Sequence, residues 1–220
     1  MKILIVVPAF NEEKRIGTVL SDLKKANQKI IVVDDGSKDK TTQIAKKYTP
    51  YVFSHRVNLG KGAALKTGAE FAFKNEADAV VFMDSDGQHK VKDLPEFIKA
   101  LEDGYEVVFG SRNLNFGVPL VRYMGNKMAS LFVRLLFGIY ASDLLCGYRA
   151  MTKKAFRKMN WESTGYSIET EMVVRTKQLG LKYCEVPVET LYYDKVKGVT
   201  ILDAFGIFFQ VLKWRIEWVS

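Results

Sequence analysis

Cysteine is almost missing from this chain: among 220 residues only Cys146 and Cys184 carry thiols. Two cysteines without CxxC spacing build neither a disulfide framework nor a structural metal site, so they read as buried thiols in a reducing cytosol. No block of five or more Lys and Arg occurs, nor a zinc knuckle or an aromatic RNA-binding motif. Nucleic acid is therefore not expected as a partner, although the formal net charge of +8 favours anionic ones. No G-x-G-x-x-G follows the first apolar stretch, where Pro8 stands instead, which argues against a nicotinamide dehydrogenase. Gly60-Lys61-Gly62 lacks both the upstream glycine spacing and the Ser or Thr of a P-loop, which argues against ATP hydrolysis. The apolar run in Met1 to Pro8 is too short for a signal peptide. Near the C-terminus the longest charge-free run is Ala204 to Leu212, well short of the about 20 residues of a spanning helix.

What is present is ordinary globular material, 48% hydrophobic and 26% charged, in a pattern of short apolar runs. Ile3 to Val7, Ile30 to Val33, Tyr51 to Ser54, Ala79 to Met83 and Val107 to Gly110 read as strands, several buried on both faces. Between them, helices are predicted around Ile16, Val19, Leu20 and Leu23, then over Asp39 to Tyr48, Ala63 to Phe73 and Leu94 to Leu101. This alternation predicts a doubly wound α/β sheet. After Arg112 it lapses into a helix over Val121 to Phe137, a short apolar element at Ala150-Met151, a helix over Ile168 to Leu179 and a strand over Tyr183 to Val188. Thr200 to Val219 is apolar around most of its circumference, with Asp203, Gln210, Lys213 and Glu217 on one helical stripe. It predicts an amphipathic helix in a membrane interface, with Trp214 and Trp218 near the headgroups and Lys213 and Arg215 on anionic phosphates. A terminal helix packed on the core or on a dimer partner fits the same pattern.

The run Val80 to Met83 stops abruptly in Asp84-Ser85-Asp86-Gly87-Gln88-His89. Ligands of open α/β sheets bind outside the carboxyl ends of the strands. Alternate residues of an extended segment point the same way, so Asp84 and Asp86 can face one hard cation, with the Gln88 amide as a further ligand. Two carboxylates and an amide suit Mg2+ or Mn2+. The same residues also suit a polar turn closing a strand, and His89 reads more readily as a surface group than as a ligand.

Taken together, Val7-Pro8-Ala9-Phe10-Asn11-Glu12, Val32 to Ser37, Asn58 to Gly62, Asp84 to His89, Gly110-Ser111-Arg112, Asp143 to Arg149 and Val186-Pro187-Val188 resemble the inverting family 2 glycosyltransferases of the GT-A fold. Within them the chain looks most like the dolichyl-phosphate mannose synthase and polyprenyl-phosphate glucosyltransferase group. The resemblance implies a nucleotide-sugar-binding half over 1–112, an acceptor half over 113–199 and a membrane-interface helix over 200–220. It places Pro8, Phe10, Glu12, Val33 and Asp35 around the nucleotide, with Asp35 accepting from a base N–H, and puts Lys61, Ser85 and Lys195 in the same donor site. Asp84, Asp86 and Gln88 would hold the metal. Arg112 and Arg122 would hold a lipid phosphate, with Asn126 one turn on where a serine is more usual, and Lys195 would replace the arginine of an Asp-Arg pair.

The implied activity is metal-dependent transfer of a hexose from a GDP- or UDP-sugar to a polyprenyl or dolichyl phosphate. The expected location is peripheral, on the cytoplasmic face of a membrane, with room for a membrane-protein partner. Two alternatives are a transferase acting on a sugar hydroxyl, for which Asp86 could serve as base, and a nucleotide-sugar-binding subunit without turnover.

Overall fold

The computed structural model describes residues 1–112, 120–165, 167–190 and 201–219; the side chains of 120–122, 201–205 and 218–219 lie outside that description. The strands are β1 (Ile3–Ala9), β2 (Ile30–Asp34), β3 (Val52–Ser54), β4 (Ala79–Phe82), β5 (Val107–Arg112), β6 (Arg149–Thr152) and β7 (Tyr183–Val188). They form one seven-stranded sheet in the order β3-β2-β1-β4-β6-β5-β7. The pairs β1–β2, β1–β4, β2–β3 and β5–β7 are parallel, whereas β6 runs antiparallel between β4 and β5. The short apolar element at Ala150-Met151 is thus a central strand, which explains why it is apolar and buried.

Eight helices accompany the strands among the described residues: α1 (Ile16–Lys25), α2 (Thr41–Ala45), α3 (Lys61–Lys74), α4 (Leu94–Glu102), α5 (Leu120–Phe137), α6 (Lys153–Met159), α7 (Ile168–Gln178) and α8 (Ile201–Val219). The sheet separates two cores. On one face Val6, Val33, Val80 and Phe109 meet side chains of α3, α5, α6, α7 and α8. On the other Ile5, Val32, Val81 and Val108 meet α1 and α4. The predicted helix over Asp39 to Tyr48 shortens to α2; ahead of it Asp39 Oδ1 accepts from the Thr41 N–H and hydroxyl, and behind it Thr49 Oγ1 donates to the Ile30 carbonyl.

Helix α8 departs from expectation. Val211 and Trp214 are only 2% and 7% exposed and sit in the core, so Trp214 is no headgroup anchor. A helix apolar around most of its circumference can bury one face and still leave Phe209 and Ile216 outside. Helix α5 does the same more plainly. Asn126, Ser130, Val133 and Phe137 are buried, while Met124, Met128, Leu131 and Leu135 on the opposite side are 52%, 68%, 61% and 81% exposed. The two helices meet where Phe132 stacks on Phe208 at 4.9 Å between ring centroids.

Candidate active site

Because β1, β2 and β4 are parallel, their carboxyl ends open on one edge, and the polar segments that follow converge there. Pro8 and Val33 are buried in the wall of that edge, whereas Phe10 is 43% exposed at its lip. Asn11 adopts a φ of 53°, and its N–H donates to Ser37 Oγ while its Oδ1 accepts from the Lys38 N–H. Glu12, half-buried, donates its N–H to Thr41 Oγ1, and its carboxylate lies 3.9 Å from Arg15. The loops after β1 and β2 are thereby tied to each other.

Asp35 is 3% exposed and serves as the hub of a third loop. Its Oδ1 accepts from the Leu59 N–H at 2.9 Å and pairs with His55 Nδ1 at 2.7 Å, and its Oδ2 accepts from the Gly60 N–H at 2.7 Å. The chain itself thus takes up most of the acceptor capacity that the resemblance reserves for a base. His55 passes the contact on to Thr67 Oγ1. Gly60 sits at φ 94°, and a Cβ there would fall 2.3 Å from the Thr164 carbonyl; at Gly62 it would fall 2.0 Å from that of Ser163. Only glycines let the start of α3 press on the 163–164 backbone, where the Gly62 N–H donates to Thr164 O at 2.7 Å. The close approach these glycines permit is therefore to another loop of the same chain.

That approach delivers Lys61, in the first turn of α3, to the end of β4. Its Nζ lies 2.6 Å from Asp84 Oδ1 and 2.7 Å from Glu169 Oε1. Burial works against the ammonium, but the two carboxylates outweigh it and hold Lys61 well above the usual lysine range. Burial likewise opposes the charge of Asp84, yet Lys61, with a smaller contribution from His89, holds its carboxyl well below the usual carboxylate range. Asp86 is pushed upward, first by burial and then by the negative charge of Asp84, against the help of the Gln88 N–H donating to Oδ1 at 3.0 Å. Ser85 is 5% exposed.

His89 corrects the expectation of a surface residue. It is 7% exposed, its Nε2 is 3.6 Å from Asp84 Oδ2, its ring lies 5.2 Å from that of Tyr148, and its backbone bridges to Thr190. The apolar strand side of the loop and the ring of Tyr148 give the imidazole a place inside. Opposite, Gly147 has no room for a side chain: a Cβ would fall 2.3 Å from Asp84 Oδ2 and 2.5 Å from Lys61 Nζ.

Glu169 is the residue the sequence did not mark as functional. It lies in the first turn of α7. Its 4% exposure and its contact with Lys61 put it in the site. Arg149 fixes the surroundings, with its guanidinium donating to the carbonyls of Leu144, Cys146 and Glu169 at 2.8, 2.9 and 2.5 Å.

Beyond β5, the Arg112 guanidinium grips Asp143 with two hydrogen bonds of 2.5 and 2.9 Å, and Asp143 is fully buried. Ser111 and Ser142 share a hydroxyl contact at 2.5 Å, and Asn126 of α5 donates to the Ser142 carbonyl at 3.3 Å. Asn126 Oδ1 is buried with no hydrogen-bond partner among the described residues. Arg122 lies on α5 with its side chain outside the described residues, and Lys195 is outside them altogether.

The donor set suits a divalent cation. The Lys61 ammonium already stands at Asp84 as a cation, and Asp86 beside it is a carboxylate whose charge is opposed by its neighbour. Among the described residues no three His, Cys, Asp or Glu side chains form a ready cage. Mg2+-type sites use one or two carboxylates together with substrate phosphates and water, and Asp84 and Asp86 supply two.

A sequence profile described as Glycosyl transferase family 2 matches residues 4–164. The UDP-N-acetylglucosamine–dolichyl-phosphate N-acetylglucosaminyltransferase of Methanococcus voltae is 33% identical, over 96% of this chain and 94% of its own. The undecaprenyl-phosphate mannosyltransferase of Micrococcus luteus is 31% identical, over 86% of this chain and 83% of its own. Among solved structures, glucosyl-3-phosphoglycerate synthase from Mycobacterium tuberculosis, in complex with Mg2+ and UDP, has a TM-score of 0.75 at 22% identity, covering 97% of this chain and 79% of that one. The mixed, mainly parallel sheet flanked by helices is the GT-A architecture.

Proposed function

This chain belongs to glycosyl transferase family 2, and on that premise we propose that it transfers a sugar from a GDP- or UDP-sugar to a polyprenyl or dolichyl phosphate at the cytosolic surface of a membrane. The donor lies over the ends of β1, β2 and β4, in the half formed by residues 1–112. Pro8, Phe10, Glu12 and Val33 surround the nucleotide, and Asp35 offers a base N–H what its loop leaves over. Asp84 and Asp86, with the Gln88 amide, hold Mg2+ or Mn2+ against the diphosphate. Such an ion stabilises the charge that grows on the departing diphosphate as the anomeric C–O bond breaks. Lys61, Ser85 and Lys195 serve the same donor.

The acceptor occupies the half formed by 113–199. A phosphate monoester, with a second pKa of about 6, is already a dianion at neutral pH. One of its oxygens forms the new bond to the anomeric carbon while the bond to the diphosphate oxygen breaks, inverting that carbon, and no protein base is needed. Positioning is what the chain has to supply. Asp143 sets the plane of the Arg112 guanidinium, and Arg122 and Asn126 share the start of α5 with the acceptor phosphate.

The lipid half rests on one observation, the exposed Met124, Met128, Leu131 and Leu135 stripe of a helix whose inner face is fastened by Asn126 to the Ser142 carbonyl, in the loop that meets the end of β5 through Ser111. Exposed apolar rows of that size mark interaction surfaces, and Lys127 and Arg134 on the same helix favour anionic headgroups. No helix among the described residues is long and apolar enough to cross a membrane. Protein incubated with radiolabelled GDP-mannose, UDP-glucose or UDP-N-acetylglucosamine, polyprenyl phosphate and Mg2+ is expected to give a chloroform-soluble product, and Asp86→Ala to give none. Label that stays in the water phase for every donor would remove the lipid acceptor. A sugar-hydroxyl acceptor is the second reading, favoured by the raised basicity of Asp86.

A further inference from the structure

Resting on the reading of Asp84 and Asp86 as cation ligands, we propose that Lys61 is a tethered counter-cation that must leave Asp84 before the divalent ion can settle there, and that Glu169 is where it parks. Cation and nucleoside diphosphate then bind as a pair, each weakly without the other.

The geometry carries this in three steps. Lys61 Nζ is 2.6 Å from Asp84 Oδ1, inside the space a metal bound to that oxygen would share. A divalent ion arriving alone meets a fixed positive charge a few ångströms away, and the two repel. Next, Lys61 has a second carboxylate at 2.7 Å, so giving up Asp84 does not strand a buried ammonium. Glu169 is itself held, because its backbone carbonyl accepts from Arg149, and the parking place is therefore a fixed point. Finally, the wall behind the pair is the backbone of Gly147, which approaches Lys61 Nζ so closely that no Cβ fits. The Lys61 side chain is 21% exposed and can yield only on the side away from Gly147, where a diphosphate would supply the anionic oxygens that replace Asp84. The nucleotide thus draws the ammonium away and admits the ion, and by reciprocity the ion raises the affinity for the nucleotide. Lys61 is a positioning residue in this scheme as well as a contact for the donor.

The test measures binding to the full chain rather than turnover. Mn2+ is titrated against wild type, Lys61→Met, Lys61→Arg, Glu169→Gln and Asp84→Asn, with and without UDP or GDP, following the free-ion electron paramagnetic resonance signal. Wild type is expected to bind Mn2+ on the order of tenfold more tightly when nucleotide is present. Lys61→Met should bind Mn2+ more tightly than wild type in the absence of nucleotide, and nucleotide should enhance its binding by less than it does in wild type. Lys61→Arg should retain the enhancement. Glu169→Gln, which weakens the parking place, should lower Mn2+ affinity both with and without nucleotide.

Equal or weaker Mn2+ binding by Lys61→Met without nucleotide overturns the proposal. Unchanged Mn2+ binding by Asp84→Asn overturns the cation-site reading beneath it, so the two failures are distinct. A measurement on wild type needs no variant to fold: the 15N resonance of the Lys61 ammonium should shift with Mg2+ plus UDP or GDP and stay in place with Mg2+ alone. A resonance that keeps its ligand-free position with both bound also overturns the proposal.

Discussion

At the scale of single residues, the site is an arrangement of buried charge around Lys61, and its consequences are measurable apart from catalysis. Lys61 is held above the ordinary lysine value by Asp84 and Glu169 despite its burial. The folded chain therefore keeps a proton there at pH values where the unfolded chain has lost it. Its contribution to stability is complete below the unfolded value of about 10.4 and drains away as the pH rises from there toward the folded value. Lys61→Met should lack this part of the alkaline loss, so denaturant midpoints of mutant and wild type should converge as the pH is raised past about 10. Gly147→Ala tests the same cluster by crowding, since its Cβ would collide with Asp84 Oδ2 and Lys61 Nζ. We expect a stability cost of about 1–3 kcal/mol and a loss of donor affinity visible by calorimetry with UDP or GDP and Mn2+. Arg112→Ala should be costlier, about 3–5 kcal/mol, because it leaves the fully buried carboxylate of Asp143 without its guanidinium. A thermal melt decides this, whatever part Arg112 plays toward the acceptor.

At the scale of elements, α5 departs furthest from how a globular protein treats its helices, hiding Asn126 and Ser130 and showing Met128 and Leu135. Replacing Met128 and Leu135 by Asp should leave the melting temperature within a few degrees of wild type, because neither side chain contributes to the core. Vesicle binding should fall about tenfold or more for each residue, since each forfeits about 1.5 kcal/mol or more of apolar burial in the lipid. Flotation with liposomes reads this directly. The sequence revealed α5 as a helix but not which face would be outside, because apolar residues lie on both. The same ambiguity misplaced Trp214, which the periodicity of α8 allows on either side. Strands β1, β2 and β4 were legible because burial on both faces leaves an unbroken apolar run, which ends in aspartates at β2 and β4 and in a proline and a polar loop at β1. The antiparallel entry of β6 between β4 and β5 was not, because strand order is a long-range property absent from a four-residue pattern. Helix α6, which follows β6 directly, was missed for its shortness. Asp84 and Asp86 stood out by their spacing at the end of an apolar run, and Asp35 only through the resemblance. Glu169 and His89 did not, because only folding brings α7 and the inner side of the β4 loop against Asp84.

At the scale of the whole molecule, the sheet assigns work to its parts. In the proposed function, parallel strands present their carboxyl ends to the donor and the elements after β5 carry the apolar face, so that one chain reaches a soluble nucleotide and an insoluble lipid together. The formal net charge of +8 fits this arrangement, since both partners are anionic. Apolar insertion and electrostatic attraction should then be separable by salt. Each Lys or Arg near an anionic bilayer contributes about 1 kcal/mol, within a screening length that shrinks from about 10 Å at 0.1 M salt to about 3 Å at 1 M. Binding to phosphatidylserine-containing vesicles is expected to weaken more than tenfold over that range and to level off at a residual set by α5. Binding to phosphatidylcholine vesicles should be weaker at low salt and nearly indifferent to it. Charge-reversal of Lys127 and Arg134 should flatten the salt dependence without touching the residual, and the Met128 and Leu135 substitutions should remove the residual without flattening the dependence. If both pairs of substitutions instead act on one and the same component, the basic and apolar groups do not face the bilayer side by side, and the lipid has to enter from elsewhere on the molecule.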